Sequence, residues 1–436
     1  MADPVDEVVR FTSDLIRIDT SNRGAGDCAE RPAAEYVAAQ LAEDGLEPLL
    51  LESAPDRANV VVRLAGADRD RPGLLVHGHL DVVPAEPDDW TVHPFSGEVA
   101  DGWVWGRGAI DMKGMVAMML TVARRMAREG RRPARDVVLA FTADEEDSAA
   151  AGSDWLVREH ADLFEGCAEG ISESGAYTFH AAEGVRLYPV SAGERGTAWL
   201  ELTAHGTAGH GSRANGDNAV GVLAEAVARI HAHRWPARLT PTVRAALREI
   251  GGALGVPTDP EAPGFDVDDA IGRLGAAGDL VASTVRNSAN PTMLQAGYKV
   301  NVIPGSATAR VDGRVLPGGD AEFEATLDRL CGDAVSWRYV HREVPLEASV
   351  DTPTFTAMRE SLLAEDPGAH VVPVCLAGGT DAKQFSRLGI TGYGFAPLRL
   401  PDGFDYSAAF HGVDERVPVD GLEFGVEVLD RFLATC

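Results

Sequence analysis

The chain has 436 residues, 45% hydrophobic and 24% charged, ordinary proportions for a globular protein and length enough for two domains. Its formal net charge of −28 repels phosphate backbones and anionic lipid surfaces, which argues against nucleic acid and membrane as partners. No apolar run reaches the roughly 18 residues of a membrane helix. The acidic start Met1-Ala2-Asp3-Pro4-Val5-Asp6-Glu7 lacks the basic-then-apolar order of an export signal. Five scattered cysteines (Cys28, Cys167, Cys331, Cys375, Cys436) show no Cys-x-x-Cys spacing, so the expectation is reduced thiols and a cytoplasmic location.

In chain order, residues 32–45 read as a helix with a Gly stop, and 58–64 and 73–76 as short buried strands. The strand at Leu74-Leu75-Val76 runs into His77-Gly78-His79-Leu80-Asp81, and a long helix over 114–128 leads into a strand over 137–143. That order predicts an α/β sheet with functional loops at the strand ends. From about Gly193 the texture changes to strands at 198–204, 299–303, 307–316 and 335–342 with helices at 218–233 and 321–331. These suffice for a small α+β domain, with an irregular Gly- and Pro-rich excursion at 251–278. From Thr352 the α/β pattern returns. The predicted organisation is a larger domain from residues 1–192 and 351–436, interrupted by an insert over 193–350.

Four clusters carry chemistry. In His79-Leu80-Asp81, residues i and i+2 share a face on extended backbone, so Asp81 can orient His79 while its other nitrogen binds a metal; a solvated pair is the alternative. Asp111, bracketed by glycines in Gly106-Arg107-Gly108-Ala109-Ile110-Asp111-Met112-Lys113-Gly114, is either a helix cap or a carboxylate bridging two ions. Asp144-Glu145-Glu146-Asp147 ends an apolar strand, where adjacent acids point apart: one Glu is placed to bind metal, the other to face substrate as a general base. Glu173 follows another predicted strand, and His411 lies in Phe410-His411-Gly412-Val413-Asp414-Glu415-Arg416. Two histidines and several carboxylates form a set suited to zinc and, less selectively, to cobalt or manganese.

These motifs, in this order and at comparable spacings, resemble the di-zinc metallopeptidase family of aminoacylases, carboxypeptidases, acetylornithine deacetylases and succinyl-diaminopimelate desuccinylases. The resemblance is closest to the carboxypeptidase S and N-acyl-amino-acid hydrolase branch. It implies a mixed-sheet catalytic domain with an inserted lid and dimerisation domain, and two Zn²⁺ per chain. His79 and Glu173 would hold one ion, Glu146 and His411 the other, with Asp111 between them, Asp81 behind His79 and Glu145 as base. It also implies a cis peptide at Asp111-Met112. Gly206-Thr207-Ala208-Gly209-His210-Gly211-Ser212 resembles the segment carrying the family's lid histidine, here His210, which reaches its own site or a partner's. Lys299 to Gly305 and the strand to Arg314 resemble the segment holding the substrate carboxylate, with Arg314 as clamp, Asn301 assisting, and Gly378 and Gly379 offering backbone donors. The implied reaction cleaves the amide of an acyl amino acid beside a free carboxylate. A carboxypeptidase or dipeptidase is the alternative, and a metal-free binding protein on the same fold the remote one. Homodimerisation through the insert is the family's habit.

Overall fold

Strands of a sheet covered on both faces are continuously apolar rather than alternating. Val137–Thr142 and Gly73–His79 are of that kind, buried at every residue. In the computed structural model, which describes residues 4–436 with side chains from Glu7 onward, they pair in parallel at the centre of a ten-stranded sheet. Met1, Ala2 and Asp3 of the acidic start lie outside the described residues.

The sheet runs in the order Leu49–Ala54, Arg57–Leu64, Val137–Thr142, Gly73–His79, Cys167–Ser172, Thr391–Gly394, Val185–Glu194 and Leu346–Glu347, with His370–Leu376 and Phe179–Ala182 also on Val185–Glu194. Val60, Val76, Leu139 and Ile171 face helices Pro4–Arg17, Lys113–Glu129, Pro353–Glu365 and Val419–Thr435, while Val61, Leu75 and Val138 pack on the other side against Leu156, Phe164 and Phe385. Gly73–His79, Val137–Thr142 and Cys167–Ser172 are mutually parallel neighbours. Their carboxyl ends therefore open at one place, where ligands of open α/β sheets bind, and that place holds His79, Glu145, Glu146 and Glu173.

A second, antiparallel sheet follows, ordered Ser288–Ala296, Ser306–Val315, Gly196–His205, Val335–Arg342. Alternate residues of Ser306–Val315 are buried, and Leu200, Leu202, Ala309 and Val311 pack against helices Ala219–Ala232 and Asp320–Cys331. The opposite face is open, leaving Trp199, Met293 and Val340 exposed.

Three expectations need correction. The stretch 193–350 does not pack as one body: from helix Pro241–Leu254 to Ala282 the chain leaves the small sheet and buries Val243, Leu247, Ile250 and Val281 against Leu187, Val372 and Val374 of the large one. Nor is 251–278 irregular throughout. Helix Pro241–Leu254 has a Thr240 side-chain cap, Pro at its start and a left-handed Gly255 stop, and Val267–Arg273 is capped by Asp266; Pro257, Pro260, Pro263 and Gly264 lie in the irregular segment between them. The strand expected at 299–303 shrinks to Val302–Ile303. No described helix is long and apolar enough to cross a membrane.

Candidate active site

His79 is the last residue of its strand, and its Nδ1 lies 2.9 Å from the main-chain carbonyl of Asp81. A carbonyl only accepts, so Nδ1 carries the hydrogen and Nε2 turns to the centre of the site. The Asp81 carboxylate, expected behind this ring, stands 3.6 Å from the same Nδ1. It also accepts the backbone N–H groups of Glu145 and Glu146, each at 3.1 Å, and the Asn22 amide at 2.9 Å. Asp81 thus fixes the turn on which both glutamates stand.

Asp111 does not cap its helix with its side chain. One oxygen lies 3.0 Å from His79 Nε2 and the other 2.8 Å from His411 Nε2, so the carboxylate spans the two imidazoles. The Asp111-Met112 peptide is cis. Glu146 Oε2 is 3.3 Å from His411 Nε2. Glu173 and Glu145 approach His79 Nε2 to 3.9 and 4.0 Å. By distance either could join His79 on an ion; they differ in access, the Glu145 side chain being 16% exposed against 7% for Glu173.

Electrostatics sharpen the picture. Burial pushes the Glu173 carboxyl up to about 8, and burial and then the charge of Glu173 hold Glu145 well above the usual carboxylate range. Hydrogen bonds to Asp111 and then Glu146 push His411 up to about 10. Burial opposes charge on His79, but the bond to Asp111 and the neighbouring Glu173 outweigh it and hold the ring well above its ordinary value. Carboxylates crowd together, and imidazoles are driven to supply cations between them.

That crowding tests whether metal ions fit. Ligand atoms of His79, Glu145 and Glu173, and of His79, Asp111 and Glu146, lie within 4.8 Å of one another. Glu146 Oε1 is buried with no hydrogen-bond partner, an unpaired acceptor of the kind a cation satisfies. The adjoining cavity of about 310 Å³ is lined by Asp111, Glu145, Glu146 and Glu173, and among the described residues no Lys or Arg lines it. The donor set is hard oxygen plus imidazole, suited to zinc-like divalent ions. The residues fit.

Over residues 75–435 the chain matches the model of peptidase family M20/M25/M40. It belongs to that family. As a member it is a hydrolase of amide or peptide bonds. N-fatty-acyl-amino acid synthase/hydrolase PM20D1 of Xenopus tropicalis is 25% identical over 434 residues, covering 97% of this chain and 84% of that protein. Aminoacylase-1 of Sus scrofa is 27% identical over 414 residues, covering 92% and 89%. An M20 family metallo-carboxypeptidase, Sso-CP2 from Sulfolobus solfataricus, shares the fold with a TM-score of 0.70 at 18% identity, covering 100% of this chain and 99% of that one.

This M20 site rests on residues that the sequence reading passed over. Glu415, fully buried, accepts the backbone N–H groups of Gly108, Ile110 and Asp111 at 3.0, 2.7 and 3.1 Å and the Arg107 guanidinium at 2.7 Å. It holds the loop that presents Asp111. Arg57 joins Glu30 to Asp144 at 2.6–2.8 Å, and Asn22 bridges Asp144 to Asp81. The signal for Glu415 was its place four residues after His411; nothing in the sequence pointed to Asn22 or Arg57.

Of the remaining predicted residues, Gly378 and Gly379 line the cavity. A side chain at 379 would collide with the buried Lys383 ammonium, itself paired with Glu343 at 3.2 Å. His210, Asn301 and Arg314 do not line the cavity. His210 and Asn301 are exposed on the ribbon formed by Gly209–His210 and Val302–Ile303, with His210 Nδ1 2.9 Å from Ser212 Oγ. Arg314 is engaged by Asp312, two residues away on the same strand face, at 2.8 and 3.3 Å.

Proposed function

We propose that this chain hydrolyses N-acyl amino acids, with two divalent ions held by His79, Asp111, Glu146, Glu173 and His411 and with Glu145 as general base. The observation that carries the reading is the Asp111 carboxylate between two imidazoles beside a cavity that Glu145 also lines. Zinc is the ion the donor set favours, with cobalt or manganese as substitutes. The names of the relatives, a fatty-acyl-amino acid hydrolase and an aminoacylase, support an acyl amino acid as substrate.

Bound divalent ions supply the charge that polarises an amide carbonyl and makes a water acidic enough to attack near neutral pH. The chain's residues do the rest. Glu145 takes a proton from the attacking water, and the water oxygen bonds to the carbonyl carbon. As the C–N bond breaks, Glu145 returns that proton to the leaving nitrogen, so amide and water become carboxylic acid and amine. Asp81, accepting the Glu145 and Glu146 N–H groups, keeps base and ligand in register. The Gly378-Gly379 backbone binds the substrate's carboxylate end.

His210 and Asn301 complete the site from a second copy of the chain. Apolar side chains left exposed on the insert support such a homodimer: Leu294 and Tyr298 are 64% and 84% exposed and Trp199 is 45% exposed. Arg314 would have to leave Asp312 to act as clamp. Five free cysteines suit a reducing compartment such as the cytoplasm.

Hydrolysis of N-acyl amino acids and of plain dipeptides, by zinc-loaded and by chelated protein, tests the reading. Metal-dependent release from acyl amino acids is expected. Cleavage of dipeptides alone would move the chain to the carboxypeptidases or dipeptidases, the second reading that the Sso-CP2 fold supports. A scaffold protein would retain no ions.

A further inference from the structure

A substrate with a free carboxylate brings a negative charge into a cavity lined by Asp111, Glu145, Glu146 and Glu173 and, among the described residues, by no Lys or Arg. The arginines around it are engaged. Arg107, behind His411, pairs with Glu415, Arg314 is held by Asp312, and Arg195 donates to the Ser283 and Arg314 carbonyls and to the Ser288 hydroxyl. Lys383 is placed differently.

Its side chain does not line the cavity but runs along the outer side of Gly379, which does. A Cβ at 379 would collide with Lys383 Nζ, Cε and Cδ, whereas one at 378 would meet nothing. Gly379 has no positive φ, so the close approach of the ammonium, not backbone freedom, is what calls for glycine here. The Lys383 side chain is 2% exposed. An ammonium carries three N–H donors, and among the described residues one side chain accepts from this one, Glu343 at 3.2 Å.

Two crossings join the large sheet to the small one, and each puts an acid on the turn from Gly379 to Lys383. Glu194 ends strand Val185–Glu194, just before Gly196–His205, and accepts the Thr380 N–H at 3.1 Å and the Thr380 hydroxyl at 2.7 Å. Glu343 stands between Val335–Arg342 of the small sheet and Leu346–Glu347 of the large one. Burial pushes the Glu194 carboxyl up, and the charge of Lys383 is the first influence opposing it. Burial acts on Glu343 in the same way, but there the charge and hydrogen bond of Lys383 help to hold the carboxyl below its ordinary value. The ammonium is thus felt on both sides of the turn.

We propose that Lys383, acting through the Gly379 backbone on which it packs, sets the site's demand for a free carboxylate on the substrate, and that Glu343 tempers its charge. The proposal rests on the reading in which the Gly378-Gly379 backbone binds the substrate's carboxylate end. Lys383 is a positioning residue and touches no reacting atom. Across a thin layer of main chain its charge is screened far less than across water.

The test compares an N-acyl amino acid with its carboxamide as substrates of the zinc-loaded chain and of Lys383→Met, Lys383→Gln and Glu343→Gln. For the unaltered chain kcat/KM is expected to be about tenfold or more higher for the free acid, the order of one charge acting over a few ångströms of protein. Lys383→Met and Lys383→Gln both lower the acid-to-amide ratio about tenfold through KM, with bound zinc unchanged. Glu343→Gln removes the tempering charge and lowers KM for the acid about threefold. It also keeps the ammonium, so it carries the test if the lysine variants do not fold.

Opposite signs separate charge from packing. A turn held merely by the Lys383–Glu343 bond would suffer in the same direction from Lys383→Met and Glu343→Gln, and Lys383→Gln, which keeps an N–H, would rescue it. That pattern, a flat ratio in both lysine variants, or an unaltered chain indifferent to the carboxamide would overturn the proposal and leave the acyl-amino-acid reading standing. Cleavage of dipeptides alone would remove that reading, and the ratio is then taken on a dipeptide and its amide with the same expectations.

Discussion

The two sheets of this molecule carry their functional residues in opposite ways. At the carboxyl end of the large sheet, Asp81, Asp111 and Glu415 are at most 4% exposed and each meets two or more partners. On the insert, His210 and Asn301 stand in solvent, and Arg314 is occupied by its neighbour Asp312. The first region is a constellation held by main chain; the second is an exposed surface, which the proposed homodimer would cover. The difference teaches that residues on parallel strand ends are placed by the fold itself, whereas the fold of one chain leaves those on the inserted ribbon in solvent.

Mixing two inactive variants would break or sharpen that contrast most strongly. His210→Ala is expected to lose about 10²-fold in kcat, the order of one removed oxyanion donor. If His210 acts across a dimer, mixing it with Glu145→Gln restores one good site per mixed dimer, and activity rises well above the sum of the parts. An unchanged sum would mean that His210 serves its own chain or none.

Stability separates the regions next. Arg107 and Glu415 are 4% and 0% exposed, so Arg107→Ala leaves a buried charge without its partner and costs on the order of 3 kcal/mol. The insert's Arg314–Asp312 pair is 25% and 35% exposed, and Arg314→Ala costs under about 1 kcal/mol. Urea denaturation of both variants measures the gap, and equal losses would dissolve the contrast.

The smallest effect is set by pH. Burial raises Asp381 from 3.8 to about 6 against the opposing Ser153 and Thr142 hydroxyls. A carboxyl raised on folding favours the folded state when protonated; its cost therefore appears as pH rises past 3.8 and is complete above about 6. In chelated protein Asp381→Asn is expected to gain on the order of 2 kcal/mol at pH 8 and nothing near pH 4. A gain independent of pH would assign the effect to packing.

Much of this was legible in the sequence where a local pattern has a local cause. Continuous apolar runs marked the strands Gly73–His79 and Val137–Thr142, and glycines bracketed the loop at Asp111, because burial and turn geometry act over a few residues. Helix Lys113–Glu129 came within a residue of its expected ends. Contacts distant in sequence were not legible. Asn22 meets Asp144 across 122 residues and Arg107 meets Glu415 across 308, and no spacing rule joins them. Helix Pro241–Leu254 was hidden for another reason: its apolar face is cut for the large sheet, not for the insert in which it sits in sequence. Arg314 was read as a clamp from resemblance and its planar guanidinium; in this chain it pairs with Asp312 on its own strand, a partner that residue type alone does not single out.

The central claim is that Glu145 is the base and Glu146 the ligand. The most direct measurement is made on Glu145→Gln, with turnover of an N-acyl amino acid and bound zinc by elemental analysis taken on the same sample. The account predicts turnover reduced by about 10²–10⁴-fold with zinc content that of the unaltered chain. Zinc lost together with activity would contradict it, assigning Glu145 to the metal.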